Sequence, residues 1–189
     1  MNRLLIAPLL LAAFAAGCGQ SEANRSADSA AAAPLATTVP ALPARTGRIV
    51  DGANILSTAT ETEVVARLAA LEAKTSDQLV VVTVPSLGTE TIEAYSMRLG
   101  NGWGVGRKEL DNGILLVVAP NDRVTRISVG TGLEGLLTNA RSAKIVEGLV
   151  AQFKVGKYDK GVSDGVGEII RTLESEMKRP MPLTVPNVA

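Results

Sequence analysis

Two runs of strand length carry almost nothing but large aliphatic side chains: Leu79-Val80-Val81-Val82-Thr83-Val84 and Ile114-Leu115-Leu116-Val117-Val118-Ala119. A strand with one wet face alternates apolar and polar residues. One that does not alternate is buried on both faces, as in the middle of a helix-covered sheet. Between the runs, residues 91–103 place Ile92, Tyr95, Leu99 and Trp103 on one helical stripe. Strand, helix and strand at this spacing predict a right-handed βαβ crossover. The segment Val124–Val129 alternates instead, with Thr125, Ile127 and Val129 on one side and Val124, Arg126 and Ser128 on the other. Joined to the second run by Pro120-Asn121-Asp122-Arg123, it reads as an antiparallel, half-exposed edge strand.

Three more helices follow from 3.6-residue periodicity. Ser57 or Thr58 caps the first, with Glu61 three residues after Thr58 as in a capping box, and its core stripe is Val64, Leu68 and Leu71. The second follows Asn139 and carries Ile145, Leu149 and Phe153; the third follows Tyr158-Asp159-Lys160-Gly161 and carries Val162, Val166, Ile169 or Ile170, and Leu173. The expected fold class is α/β: a three-layer α/β/α sandwich over a small mixed sheet, with a βαβ unit and an antiparallel edge hairpin.

The ends read differently. Asn2 and Arg3 precede an apolar run that closes at Ala15-Ala16-Gly17-Cys18. A positive start, a short apolar stretch and small residues before a cut mark a secretory leader over residues 1–17. The single cysteine, after Ala-Gly, resembles a bacterial lipoprotein processing box, which implies lipid on Cys18 and attachment to a membrane. Gly19 in place of Asp would favour the outer membrane of a two-membrane cell. The alternative is an ordinary secretory signal with an incidental cysteine. Residues 18–44, rich in Ala, Ser, Thr and Pro, read as a disordered tether, and 179–189, with Pro180, Pro182 and Pro186, as a flexible tail. Residues 45–178 are left as one domain with a real core.

Charge and composition then remove whole classes of function. Acidic and basic residues balance at 19 each without runs of one sign, which argues against nucleic acid as a partner. The chain has no histidine, so His-based general-base catalysis, His-phosphoenzyme chemistry and most zinc sites are excluded. Gly130-x-Gly132-x-x-Gly135 matches a dinucleotide fingerprint as a string. It follows the second arm of a hairpin rather than the first strand of a βαβ unit, and no nucleotide cofactor is expected. Two readings of the glycines remain: a plain glycine-rich turn, or a polar loop that pairs with Asp111-Asn112-Gly113 to hold a cation. Because the edge strand runs back toward the start of the second buried strand, Asp111, Asn112, Glu134 and Asn139 should share one end of the sheet. Converging oxygen donors suit a hard cation, Ca²⁺ or Mg²⁺. Each has a plainer role available: a turn for Asp111 and Asn112, a solvated side chain for Glu134, a helix N-cap for Asn139.

In order along the chain, Asp51-Gly-Ala-Asn-Ile-Leu-Ser57, Gln78-Leu-Val-Val-Val-Thr-Val84, Trp103-Gly-Val-Gly106, Asp111-Asn-Gly-Ile-Leu-Leu-Val-Val-Ala119, Val129-Gly-Thr-Gly-Leu-Glu-Gly135 and Lys157-Tyr-Asp-Lys-Gly161 resemble the TPM domain family. That family is named for a thylakoid phosphatase-like protein, a photosystem-associated protein and a membrane accessory protein. The resemblance covers residues 48–173. It implies an α/β/α sandwich on the outer side of a membrane, acidic loop residues that bind divalent cations, and the acid phosphatase activity assigned to some members. Asp51, Asp111 and Glu134 match the family's polar positions, although the first helix begins at the opposite sheet edge from Asp111. Thr131 stands where Tyr is common, Asn139 where Asp is usual, and Gln152 where Pro is common. Asn139 removes one formal charge from the expected site, which lowers the cation affinity to be expected.

The reading favoured on these grounds is a lipid-anchored accessory domain of the cell envelope, non-enzymatic and cation-binding, with an envelope protein complex as partner. A metal-dependent phosphomonoesterase is the alternative, with Asp111 or Glu134 orienting water and Lys108 or Lys157 contacting phosphate. A ligand-free assembly module is the third.

Overall fold

The computed structural model describes residues 40–177. The leader, Cys18, the tether up to residue 39 and the tail 179–189 are therefore outside the described residues. No helix among those described is long and apolar enough to cross a membrane.

The elements in chain order are β1 (Ile49–Asp51), α1 (Thr58–Thr75), β2 (Gln78–Thr83), α2 (Ile92–Trp103), β3 (Gly113–Ala119), β4 (Val124–Val129), a 3-10 turn (Thr131–Leu133), α3 (Asn139–Phe153) and α4 (Tyr158–Met177). The strands form one sheet in the order β1-β2-β3-β4, with the first three parallel and β4 antiparallel to β3. The two apolar runs are the central strands, and every residue of β3 is buried. Their alternate residues feed two cores. Leu79, Val81, Ile114, Leu116 and Val118 pack with α1, α3 and α4; Val80, Val82, Leu115, Val117 and Ala119 pack with Tyr95 and Leu99 of α2. Full burial of each such side chain is worth about 1.5–3 kcal/mol, so removing either helical layer would strand one face of both central strands in water.

The chain crosses from β1 to β2 to β3 in one direction, while α1 and α2 cover opposite faces. Two parallel crossovers that step the same way over opposite faces must have opposite hands. One of the two therefore departs from the usual right-handed rule. The three residues of β1, pairing Ile49 with Val81 and Asp51 with Thr83, are too few to leave a periodic signal in the sequence.

Three local expectations change. Ser57, not Thr58, caps α1: its hydroxyl accepts from the Thr60 amide at 3.3 Å. That places Thr60 rather than Glu61 at the third helical position, so the Thr58–Glu61 capping box does not form. Thr138, not Asn139, caps α3, accepting from the Arg141 amide, and Asn139 is the first helical residue. Finally, packing starts by Pro40 instead of residue 45. Trp103 Nε1 donates to the Pro43 carbonyl at 3.1 Å, Arg98 Nη2 donates to the Pro40 carbonyl at 2.9 Å, and Leu42 joins the α2 core.

Candidate functional site

The loop before β3 is built around a buried asparagine. Asn112 is 4% exposed; its Oδ1 accepts from the Arg107 amide at 2.9 Å, and its Nδ2 donates to the Ser76 carbonyl at 2.9 Å and to Asp77 Oδ1 at 3.1 Å. These bonds hold the 104–113 loop against the loop between α1 and β2. A side chain spent in this way is not a cation ligand, so Asn112 leaves the set expected from the sequence. It leaves because a polar residue at a strand start can turn into the scaffold as easily as toward solvent.

Asp111, next to it, turns outward. Its backbone sits at φ +43°, and its amide donates to the Arg107 carbonyl at 2.7 Å. The returning chain after β4 docks on this turn: the Gly130 amide donates to the Gly113 carbonyl at 2.8 Å and the Gly132 amide to the Asp111 carbonyl at 3.1 Å. The glycines are explained by that approach. A Cβ on Gly130 would overlap the Asp111 carbonyl, and one on Gly132 the Leu110 carbonyl, whereas one on Gly135 would meet nothing within 4 Å. The fingerprint is a backbone-to-backbone joint.

This joint forms one wall of a groove of about 350 Å³ between α2, the start of β3, β4 and the 3-10 turn. Asp111, Glu134 and Asn139 all line it, as the hairpin geometry predicts. Asp111 Oδ2 accepts from the Thr131 hydroxyl at 2.7 Å and the Thr131 amide at 2.9 Å, leaving Oδ1 without a hydrogen bond among the described residues. Glu134 and Asn139 are exposed. Neither makes a side-chain hydrogen bond or ion pair among the described residues, and with Thr138 as the cap, Asn139 is free of the capping role.

The Thr131 hydroxyl, then the Thr131 amide, hold the Asp111 carboxyl below the ordinary carboxylate range; partial burial opposes them. A carboxyl lowered in the fold contributes stability above its unfolded value, and that contribution is lost as pH falls through the folded value, here below an ordinary aspartate. Thr131→Ala is expected to move the Asp111 titration upward toward the ordinary value, as followed by carboxyl-carbon NMR. An unmoved midpoint would show that the hydroxyl has no hold on the group.

Asp51 sits elsewhere. It is the last residue of β1, and because β1, β2 and β3 are parallel, it lies at the opposite end of the sheet from Asp111. Its Oδ1 accepts from the Thr83 hydroxyl and the Ile55 amide and its Oδ2 from the Leu56 amide at 2.9 Å, so it braces the turn into α1. The Lys157-Tyr-Asp-Lys-Gly161 segment is also scaffold. Asp159 Oδ1 accepts from the Ser57 amide at 2.7 Å, and Tyr158 stacks on Phe153 with ring centroids 5.1 Å apart.

The groove also holds residues that sequence reasoning missed. Arg126 of β4 donates from Nη1 to Glu93 Oε1 of α2 at 3.0 Å and from Nε to Ser128 Oγ at 3.3 Å. Arg126 alternates with Ile127, and Glu93 follows Ile92 just off the core stripe. That pattern could have put both on the α2 side. A larger cleft of about 730 Å³ lies between α3 and α4, and none of the expected site residues lines it.

Among the described residues no group of three or more His, Cys, Asp or Glu side chains converges for a metal ion. With Glu93 paired to Arg126, the groove offers two other carboxylates, Asp111 and Glu134, and the Asn139 amide. Such a set fits a hard cation that keeps much of its water, and hence a weak site.

The sequence model of the TPM domain matches residues 49–172. The chain belongs to the TPM domain family. Its described fold is shared with solved structures. The N-terminal domain of a P. gingivalis protein, solved by NMR, is 32% identical with a TM-score of 0.66, the match covering 71% of this chain and 86% of that one. A protein of the psychrophilic bacterium Bizionia argentinensis is 21% identical with a TM-score of 0.56, over 64% of this chain and 82% of that one. The N-terminal domain of a Corynebacterium glutamicum protein is 17% identical with a TM-score of 0.55, over 77% and 94%. These last two share the fold of this TPM domain and speak to nothing further. No curated protein matches the sequence.

Proposed function

We propose that this TPM domain is held at the bacterial cell envelope by lipid on Cys18, serves other envelope proteins as a non-catalytic accessory, and binds Ca²⁺ or Mg²⁺ weakly at its rim. The observation that carries the cation reading is the Asp111 carboxylate: Thr131 favours its anionic form through Oδ2, its Oδ1 has no hydrogen bond among the described residues, and it lines the groove that Glu134 and Asn139 also line. Asp111 and Glu134 would hold the ion, Asn139 would add a neutral oxygen, and water would complete the shell. The Ala15-Ala16-Gly17-Cys18 segment supports the anchor.

Catalysis is disfavoured by the same site. A carboxyl held below the ordinary range cannot donate a proton to a leaving group near neutral pH, and the chain has no histidine to do so. The Lys and Arg side chains that could clamp a phosphoryl group are sparse there: Arg126 alone lines the groove and is already paired with Glu93.

Calorimetric titration of the chain with Ca²⁺ and Mg²⁺ tests the reading. Saturable binding with Kd on the order of 10⁻⁴ to 10⁻³ M is expected. It should weaken in Asp111→Asn and Glu134→Gln. No heat at millimolar metal would leave an accessory domain without a ligand. Phosphate-ester turnover that survives purification and vanishes in Asp111→Ala would overturn the non-enzymatic reading.

A further inference from the structure

Beyond the Asp111–Glu134 end, the groove continues along α2, and the residues there have no part in holding a metal ion. Ser96, one turn after Glu93, lines the groove, is 2% exposed, and has no hydrogen-bond partner for its Oγ. A hydroxyl inside a helix ordinarily bonds back to the carbonyl four residues earlier, as Thr62, Thr75 and Thr172 do in this chain. Ser96 does not. A buried unpaired hydroxyl is a standing cost unless a ligand completes it.

One turn further on, Gly100 also lines the groove, and a Cβ there would meet nothing within 4 Å. Glycine inside a helix lowers its stability, and packing does not require it here; its effect is to leave the groove open. Met97, between the two on the rim, is 68% exposed and can move to admit a chain.

The groove's charge selects the occupant. Glu93, Asp111 and Glu134 line the groove beside one guanidinium, that of Arg126, whose Nη1 donates to Glu93 and whose Nε donates to Ser128. The result is a net negative groove, so an anion is rejected. Its wall between the charges is apolar at Val105 and Leu115. A metal ion would need neither the space at Gly100 nor a partner for Ser96. From Glu93 to Asn101, α2 advances about 12 Å, the reach of an extended chain of several methylenes.

We propose that the α2–β4 groove binds a linear aliphatic polyamine, with one ammonium between Asp111 and Glu134, the methylenes over Leu115 and Val105, and an inner amine hydrogen-bonded to Ser96 Oγ. The proposal rests on the reading that the Asp111–Glu134 end takes cations, and the two can fail separately. The test is calorimetric titration of the full chain with spermidine at low salt, beside a separate titration with Mg²⁺. Saturable spermidine binding is expected, competitive with Mg²⁺. Ser96→Ala and Gly100→Leu should each weaken spermidine about tenfold and leave Mg²⁺ affinity unchanged. Ser96→Ala should also raise Tm, since it removes an unpaired hydroxyl, and the helical circular dichroism of Gly100→Leu should match wild type. Spermidine binding that ignores both substitutions would be surface charge neutralisation and would overturn the proposal. Mg²⁺ binding without spermidine binding would overturn the polyamine site alone; absence of both would overturn the cation reading with it.

Discussion

Gly132→Ala is expected to lower the free energy of unfolding by about 2–4 kcal/mol, and Gly135→Ala to change it by no more than about 0.5 kcal/mol. The two glycines belong to the same Gly130-x-Gly132-x-x-Gly135 string, yet their surroundings are opposite. A methyl on Gly132 would overlap the Leu110 carbonyl oxygen and push away the Asp111 carbonyl, which the Gly132 amide binds at 3.1 Å. Both obstacles are backbone, and Asp111 is itself held by the Arg107 carbonyl, so neither can retreat without opening the turn. At Gly135 there is open space. Urea unfolding of the three proteins reads the difference directly. A pyrophosphate site would demand all three glycines for ligand approach and helix packing; a backbone joint demands the first two. Equal, small losses at Gly132 and Gly135 would mean that the joint is loose. Gly132→Ala should also broaden the groove wall, and any cation affinity should fall with it, because Thr131 and Asp111 share that wall.

How much of this was legible in the sequence depends on the distance over which each residue's partners lie. The central strands were legible because burial on both faces removes alternation, a signal carried by six adjacent residues in each run. The α2 stripe was legible for the same reason at helical period: Tyr95 and Leu99 are buried, with Ile92 and Trp103 packed beside them. Hairpin logic alone put Asp111, Glu134 and Asn139 on one rim. What the sequence hid were side chains whose partners come from remote loops. Asp51 looks like a ligand until Thr83 and the amides of Ile55 and Leu56 are seen to occupy it. Asn139 looks like a cap until Thr138, one residue earlier, takes the Arg141 amide. Glu93 and Arg126 are ordinary surface charges in sequence, with β3 between their elements; alternation could place both on the α2 side, but their pairing shows only in the fold. Opposite hands for the two crossovers could not be read at all, since the short β1 was not visible.

Asn112 supplies the sharpest separation between a ligand and a scaffold residue. Asn112→Leu is expected to cost about 3–5 kcal/mol. The substitution leaves the buried Asp77 carboxylate and the part-buried Arg107 amide and Ser76 carbonyl without their present partner; a buried group so abandoned costs about 1–3 kcal/mol, and the part-buried ones add less. Asn112→Asp keeps the shape but replaces the amide that donates to Asp77, itself 5% exposed, with a second carboxylate. Two buried carboxylates in contact cannot both stay ionised cheaply, so one will resist ionisation. The variant's pKa for that proton is raised above its unfolded value, and its deficit should therefore be large at neutral pH and shrink as the pH falls into the carboxylate range. Thermal unfolding between pH 4 and pH 8 (roughly the span over which such a pair titrates) would expose the slope. A metal ligand would behave in the opposite sense: aspartate at that position would tighten Ca²⁺ or Mg²⁺ and leave the metal-free fold as stable as before. Tighter cation binding with an unchanged metal-free Tm would return Asn112 to the site. The expected outcome, a pH-dependent loss of stability in the absence of any metal, makes it the residue on which the rim is mounted, with Asp111 beside it doing the facing outward.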